Sequence, residues 1–152
     1  MPTTTGALWF IDNLARVRLD GEASGGSLAI VEIGGRRGDM PPLHVHHEED
    51  EVWRVLEGRL SLHLPGESLE VSAGESAFGP RGVPHTYRVE SERATWLAIA
   101  APAGFDAFVR EVAEPAEADD LPPAGRAHDV HRIAGIGARY GIEILGPPGA
   151  MP

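Results

Sequence analysis

Four side chains of this sequence have the types and the spacing to hold a metal ion. Three are the histidines His44, His46 and His85, and the fourth is the carboxylate Glu51. His44 and His46 are two residues apart, so in an extended strand their imidazoles project to the same face. Glu51 lies an odd number of residues further on, so a turn or bulge must intervene before it joins that face. The hydrophilic tetrapeptide 47–50 suits such a turn.

Neutral imidazoles and one carboxylate suit a divalent transition metal, and we expect one ion per chain: nickel, iron, manganese, cobalt, copper or zinc. Four protein ligands leave one or two positions open on a five- or six-coordinate ion, as in working metal sites. Taken alone, His85 would more often be a surface or hydrogen-bonded core histidine than a metal ligand. The remaining histidines are left outside the site, and the acids 48–50 are read as a solvated turn. A different strand register would put Glu48 in the place of Glu51.

Composition excludes several classes of chemistry. The chain of 152 residues fits a single domain whose core forms without a metal. Cysteine is absent and all 13 basic residues are arginine, which excludes thiolate nucleophiles, disulfides and Schiff-base lysines. A net charge of −10 without a basic stripe predicts that nucleic acid is not a partner. Apolar stretches are short and the first residues lack a signal-peptide pattern, so we expect a cytoplasmic protein without membrane contact.

The elements that must position these side chains are short strands. Between residues 7 and 101, apolar alternation is interrupted by glycine or proline every eight to twelve residues, as in sandwiches and barrels. The tail 104–112 has apolar residues at helical spacing, 113–127 reads as an exposed linker, and 129–140 reads as a second helix stopped by Gly141. Ten strands are predicted: 8–11, 16–19, 27–33, 43–46, 51–57, 59–64, 68–71, 76–79, 85–89 and 95–100.

Two segments resemble the two motifs of the cupin superfamily. The first, 38–58, matches at every spaced position, and the second, 74–89, departs only at its end, where Val89 replaces an expected asparagine. That asparagine is not a usual metal ligand of the family, so the departure bears on local packing. The matching positions are Gly38, His44, His46, Glu51 and Gly58 in the first motif, and Gly74, Pro80, Gly82 and His85 in the second.

The resemblance implies a mainly β fold, a cupin jelly-roll β-barrel with a short helical C-terminal extension. Residues 1–103 would form the barrel and residues 104–152 the helical extension packing on it. The three histidines and Glu51 would point inward as the metal ligands. Homodimerisation is also expected from the resemblance, and the apolar segment Leu8–Ile11 could cover or exchange a sheet edge.

Within the cupins, the runs 44–58 and 138–148 most resemble quercetin 2,3-dioxygenase-like proteins with a single cupin domain. This resemblance implies that a flavonol-like aromatic ring system is cleaved with O2, and that Glu51 doubles as the catalytic base. Two alternatives stay open because fold and metal do not fix the reaction. One is another cupin enzyme, such as an isomerase or polyketide cyclase, and the other is a non-catalytic cupin that binds a small molecule or metal.

A flat aromatic substrate requires a largely apolar pocket. Candidate wall residues are Trp53, on the Glu51 face of its strand, and Tyr87, on the His85 face. Met40 and Phe78 are placed in the approaches to the ligands. Each of the aromatic residues could instead belong to the barrel core.

Overall fold

Twelve strands and two helices make up residues 6–152, the part of the chain described by this computed structural model. The strands are β1 (Leu8–Phe10), β2 (Asn13–Leu19), β3 (Ala29–Arg36), β4 (Pro42–His46), β5 (Asp50–Glu57), β6 (Arg59–Leu64), β7 (Glu67–Ser72), β8 (Ser76–Gly79), β9 (Thr86–Val89), β10 (Arg93–Ala101), β11 (Glu114–Pro115) and β12 (Ile142–Pro148). The helices are α1 (Phe105–Val112) and α2 (Val130–Arg139).

The strands form two antiparallel layers around one core. The larger sheet has the order β11-β1-β2-β3-β10-β5-β8. The second layer combines the pair β12-β4 with the sheet β7-β6-β9, and a single bridge between His44 and His85 connects them. Trp53 and Trp96 from the larger sheet and Leu60 and Leu62 from the other are all almost fully buried in the shared core. The predicted mainly β jelly-roll fold is confirmed.

The strands 59–64 and 76–79 have the predicted bounds, and both predicted helices are present. Helix α2 begins after Asp129, whose side chain accepts a hydrogen bond from the backbone N–H of Arg132 at 3.0 Å. It ends before Gly141, which has φ 72° and allows the chain to turn back. The sequence analysis assigned no strand in the extension, whereas the structure has the short β11 and the seven-residue β12 there.

The C-terminal extension closes one end of the barrel. Phe105, Phe108 and Val109 of α1 and Ile133 of α2 are buried in the common core. Strand β12 then pairs antiparallel with β4, which carries two of the histidines. Segment 8–11 contributes β1, which lies between β2 and β11, and Phe10 of this strand packs against Phe105 and Phe108 of α1. It covers the edge of β2, and homodimerisation stays a prediction.

Neither helix within residues 6–152 has the length and apolar character needed to cross a membrane.

Two glycines of α2 allow a matched test of how the helix packs. A Cβ at Gly135 would meet nothing within 4 Å, whereas one at Gly137 would lie 3.1 Å from the carbonyl oxygen of Ile142. We expect Gly135→Ala to stabilise the protein by about 0.5–1 kcal/mol through helix propensity. Gly137→Ala should lose this gain because β12 must shift. Urea unfolding measures both, and equal effects would contradict the tight docking of α2 on β12.

Candidate metal centre

The structure brings His44, His46, Glu51 and His85 together, and one donor atom from each lies within 4.8 Å of all the others. His44 and His46 are on β4 and point to the same side, as their spacing predicts. Glu51 is the second residue of β5, and His85 directly precedes β9. These residues form a potential metal-binding cluster between the two layers.

Backbone hydrogen bonds hold the two motif segments in register. The N–H of His85 donates to the carbonyl of His44 at 2.9 Å, and the N–H of His44 donates back at 3.2 Å. The N–H of Gly82 donates to the carbonyl of His46 at 2.8 Å. Gly82 has φ 76°, a left-handed conformation that favours glycine. The turn before His85 is thus tied directly to the strand that carries the other two histidines.

Glu51 is fixed by strand pairing on both sides. It lies opposite Ala100 of β10 and opposite Gly79 of β8, so its backbone belongs to the interior of the larger sheet. The chain turns between β4 and β5 at residues 47–49, where the odd spacing required an irregularity. The side chain of His47 points away from the cluster and contacts Glu143 at the surface, with Nε2 and Oε2 2.8 Å apart.

The donor atoms that converge have no partner of their own. Glu51 Oε2 lies 3.4 Å from His46 Nε2 and 3.3 Å from His85 Nε2. All three atoms are buried, and none makes a well-formed hydrogen bond among the described residues. Unpaired buried polar atoms are costly, but atoms bound to one cation by bonds of about 2.0–2.2 Å lie at just such separations. The donor set therefore fits a divalent transition metal.

The outer nitrogens of two histidines are held by partners outside the cluster. His44 Nδ1 lies 2.7 Å from the carbonyl oxygen of Pro42, which can only accept, so Nδ1 donates and Nε2 is free to bind a metal. His46 Nδ1 donates in the same way to Glu49 Oε1 at 2.8 Å. Such outer contacts fix ring orientation and tautomer in metal sites.

The contact of Glu49 with His46 corrects a sequence prediction. Glu49 was placed in a solvated turn, but it is only 4% exposed. The prediction was wrong because hydrophilicity alone cannot show which of four consecutive acids turns inward. The spacing of three residues after His46 is the one sequence feature that could have suggested it. Asp50, by contrast, forms a surface ion pair with Arg81.

The charge states of the cluster depend on one another. Burial lowers the pKa of His44 to about 3, helped by the neighbouring His85 and His46, so this ring is neutral at physiological pH. Burial alone would also lower the pKa of His46, but Glu49 and Glu51 outweigh it and raise that pKa. Burial alone would raise the pKa of Glu51, but His46 and His85 outweigh it, so the pKa is lowered and the carboxylate is ionised. The attraction between the His46 ring and the Glu51 carboxylate contributes to both of these pKa shifts.

The cluster opens on a cavity of about 70 Å³ with mostly apolar walls. Three of the four predicted pocket residues, Met40, Trp53 and Tyr87, line it together with His44, His46 and Glu51. Phe78 does not, and its side chain is 54% exposed. That prediction was wrong because side chains alternate between the two faces of a strand. Phe78 lies on the outer face of β8, where it pairs with Val52.

Other parts of the wall were not predicted. Sequence analysis did not place Asn13 and Asp39 in the cavity, nor the apolar side chains that the C-terminal extension contributes. The extension residues are Phe105, Phe108, Ile133, Ile142 and Ile144. Helical periodicity indicated an apolar face on α1, but nothing in the sequence told which cavity this face covers.

The Cupin domain family matches residues 31–100, a range that includes all four cluster residues. Residues 31–100 therefore resemble a cupin domain. The chain is 41% identical over 80 residues to quercetin 2,3-dioxygenase of Bacillus subtilis, and this match covers 53% of the chain and 24% of that enzyme. It is also 42% identical over 59 residues to an uncharacterized protein of Aquifex aeolicus, and this match covers 39% of the chain and 49% of that protein. The chain thus spans about a quarter to a half of these relatives.

Solved structures support the cupin fold. KdgF from Halomonas sp. superposes with a TM-score of 0.57 at 18% identity, covering 64% of this chain and 86% of KdgF. An RmlC-like cupin from Shewanella frigidimarina superposes with a TM-score of 0.56 at 21% identity, covering 66% of this chain and 86% of that protein. At these identities the similarity concerns the fold alone.

Loss of a histidine from the cluster should remove the metal and leave the fold. We expect His46→Ala or His85→Ala to lower the content from about one ion per chain to near zero, measured by elemental analysis. The β signal in circular dichroism should largely persist because the apolar core does not depend on the ion. His47→Ala, a change at the neighbouring surface histidine, is the matched control and should keep its metal. Unchanged metal content in the first two variants would refute the cluster.

Glu49 should act on metal binding through His46. Replacing Glu49 by alanine removes the partner of Nδ1 and should weaken metal affinity about 10- to 100-fold. Glu49→Gln keeps an acceptor oxygen for Nδ1, so it should weaken metal affinity less than the alanine variant does. In the wild type, the affinity should also fall as the pH drops through the raised pKa of His46, because the metal must displace that proton. Competition with a chromophoric chelator at several pH values measures this, and an alanine variant with wild-type affinity would contradict the role.

Proposed function

We propose that this cupin is a metal-dependent dioxygenase that cleaves a flat, flavonol-like aromatic substrate with O2. The observation that carries the proposal is the three-histidine, one-glutamate cluster at the end of an apolar, aromatic-walled cavity. The similarity to quercetin 2,3-dioxygenase over 80 residues supports the same direction. Because the chain covers a quarter of that enzyme, its activity is carried over only as part of this proposal.

His44, His46, Glu51 and His85 would hold the metal. A divalent transition metal bound there would supply Lewis acidity towards a substrate hydroxylate and the means to react with dioxygen. The protein contributes the position of these groups. Hydrogen bonds from His44 to Pro42 and from His46 to Glu49 keep two of the donor nitrogens aimed inward.

Glu51 would take the proton of the substrate hydroxyl. A base must be ionised before it reacts, and the lowered pKa of Glu51 meets this requirement at neutral pH. Glu51 lines the cavity, and its buried Oε2 has no hydrogen-bond partner of good geometry among the described residues. A hydroxyl group presented to the cluster would therefore meet an available acceptor.

The cavity walls would orient the ring system and exclude water. Trp53 is almost fully buried, and its indole ring stands at 89° to the ring of His85 with centroids 4.9 Å apart. Phe105 approaches His46 at 5.8 Å between ring centroids. The volume of about 70 Å³ is far below the roughly 300–1,000 Å³ of pockets for drug-sized ligands. A flavonol would thus enter only when the walls of the cavity move apart.

Dioxygen uptake tests the proposal. Protein stripped of metal is loaded separately with nickel, cobalt, iron or manganese, and flavonols are added in an oxygen electrode. At least one metal should give flavonol-dependent uptake with release of carbon monoxide. Absence of uptake with all four metals, although the metals bind, would refute the dioxygenase and leave another cupin enzyme or a simple binding protein.

The role of Glu51 as a base is separable from its role as a ligand. Glu51→Gln keeps a donor oxygen but cannot accept the proton, so turnover should fall by about 10²–10⁴-fold. Metal content should fall much less. Turnover per bound metal, measured against the wild type, decides the point, and unchanged turnover would rule out the base.

A further inference from the structure

Tyr87 carries a hydroxyl group that the proposed mechanism does not use. The residue is 9% exposed and lines the cavity. Its hydroxyl has no hydrogen-bond partner among residues 6–152, and its ring packs edge-on against Trp96, with centroids 5.1 Å apart and planes at 71°. A ligand with a hydrogen-bonding group could pair with this hydroxyl.

Two further polar side chains line the same cavity. Asn13 begins β2 and is 7% exposed, and its Nδ2 lies 3.4 Å from Asp39 Oδ2. Asp39 Oδ2 also accepts the backbone N–H of Arg36 at 2.9 Å. Among the described residues, both hydrogen bonds of the Asp39 side chain use this one oxygen, so Oδ1 is available. The third acid of the wall, Asp12, is already paired with Nε2 of His128 at 2.8 Å.

Strand register places these groups at the far end of the cavity from the cluster. His44 pairs with His85, and four residues further along β9 the N–H of Val89 donates to the carbonyl of Asp39 at 3.0 Å. Four residues of strand correspond to about 13 Å. Tyr87 lies midway and shares its face with His85, because side chains alternate along a strand. The cavity thus has a metal-binding end, an apolar middle and a second polar end.

We propose that Tyr87, Asn13 and Asp39 form a hydrogen-bonding subsite that receives a hydroxyl group of the substrate. A hydroxyl both donates and accepts, so it can donate to Asp39 Oδ1 and accept from Tyr87 or Asn13. The substrate is then an aromatic molecule with two hydroxyl groups, one at the cluster and one on a ring remote from it. This inference rests on the proposed function and specifies its substrate.

Anaerobic binding to the metal-loaded protein tests the subsite. The two probes are 3-hydroxyflavone and flavonols with an additional hydroxyl on one outer ring, titrated by tryptophan fluorescence. The wild type should bind at least one of the latter about tenfold or more tightly than 3-hydroxyflavone, since an unmatched polar site rejects a ligand that lacks its partner. Tyr87→Phe and Asp39→Asn should each reduce this ratio towards one and leave the affinity for 3-hydroxyflavone nearly unchanged.

Tyr140→Phe is the matched control. Tyr140 is the second tyrosine of the chain, and its hydroxyl donates to Glu111 Oε2 at 2.7 Å outside the cavity. This variant should keep the wild-type ratio. Thermal unfolding gives a second reading: Tyr87→Phe should not lower the melting temperature, because it removes an unpaired hydroxyl. A marked fall would show that the hydroxyl already has a partner and would overturn the inference.

The outcomes separate the subsite from the reaction. An unchanged ratio in Tyr87→Phe and Asp39→Asn overturns the subsite, even if dioxygen uptake is observed. Binding that depends on the outer hydroxyl, without any uptake in air, supports the subsite and refutes the dioxygenase. Failure of the wild type to bind any of the flavonols overturns both.

Discussion

The electrostatics of one buried carboxylate shape the whole site. Glu51 is 5% exposed and lies in the interior of the larger sheet, where an ionised group without a counter-charge would be strongly unfavourable. Two imidazole nitrogens face its Oε2 at 3.3 and 3.4 Å, and their attraction keeps the pKa low despite the burial. A cation held by the same atoms satisfies the carboxylate and both nitrogen lone pairs at once.

This arrangement requires segments that are far apart in sequence to meet with little freedom. The reciprocal hydrogen bonds between His44 and His85 join the two parts of the second layer, so the cluster and the barrel depend on the same backbone contact. Gly82 adds a hydrogen bond to His46 from a turn that only a left-handed residue allows. The extension then pairs β12 with β4 and covers the ligands from the other side. Each ligand is thereby held by sheet pairing rather than by a free loop.

How much of this could be predicted from the sequence follows from the range of each interaction. Alternation along a strand is local, so the common face of His44 and His46 and the buried pair Leu60 and Leu62 could be predicted. The motif spacing, read as a resemblance, brought His85 into the set. The inward turn of Glu49 depends on three-dimensional packing around His46, and the exposed position of Phe78 depends on the pairing of β8 with β5. Neither interaction is reflected in a periodic pattern of residues in the sequence.

The two ends of the cavity also differ in how far they can be predicted from the sequence. The metal end is encoded by residue type and spacing, whereas the second polar end combines Asn13, Asp39 and Tyr87 from three separate segments that meet only in the folded barrel. Anomalous diffraction from crystals of the purified protein can show whether a metal lies between the four donor atoms. We expect one strong anomalous peak within about 2.0–2.2 Å of a nitrogen of each of His44, His46 and His85 and of a carboxylate oxygen of Glu51. Crystals of metal-supplemented protein with no peak there, or with the metal bound elsewhere, would contradict it.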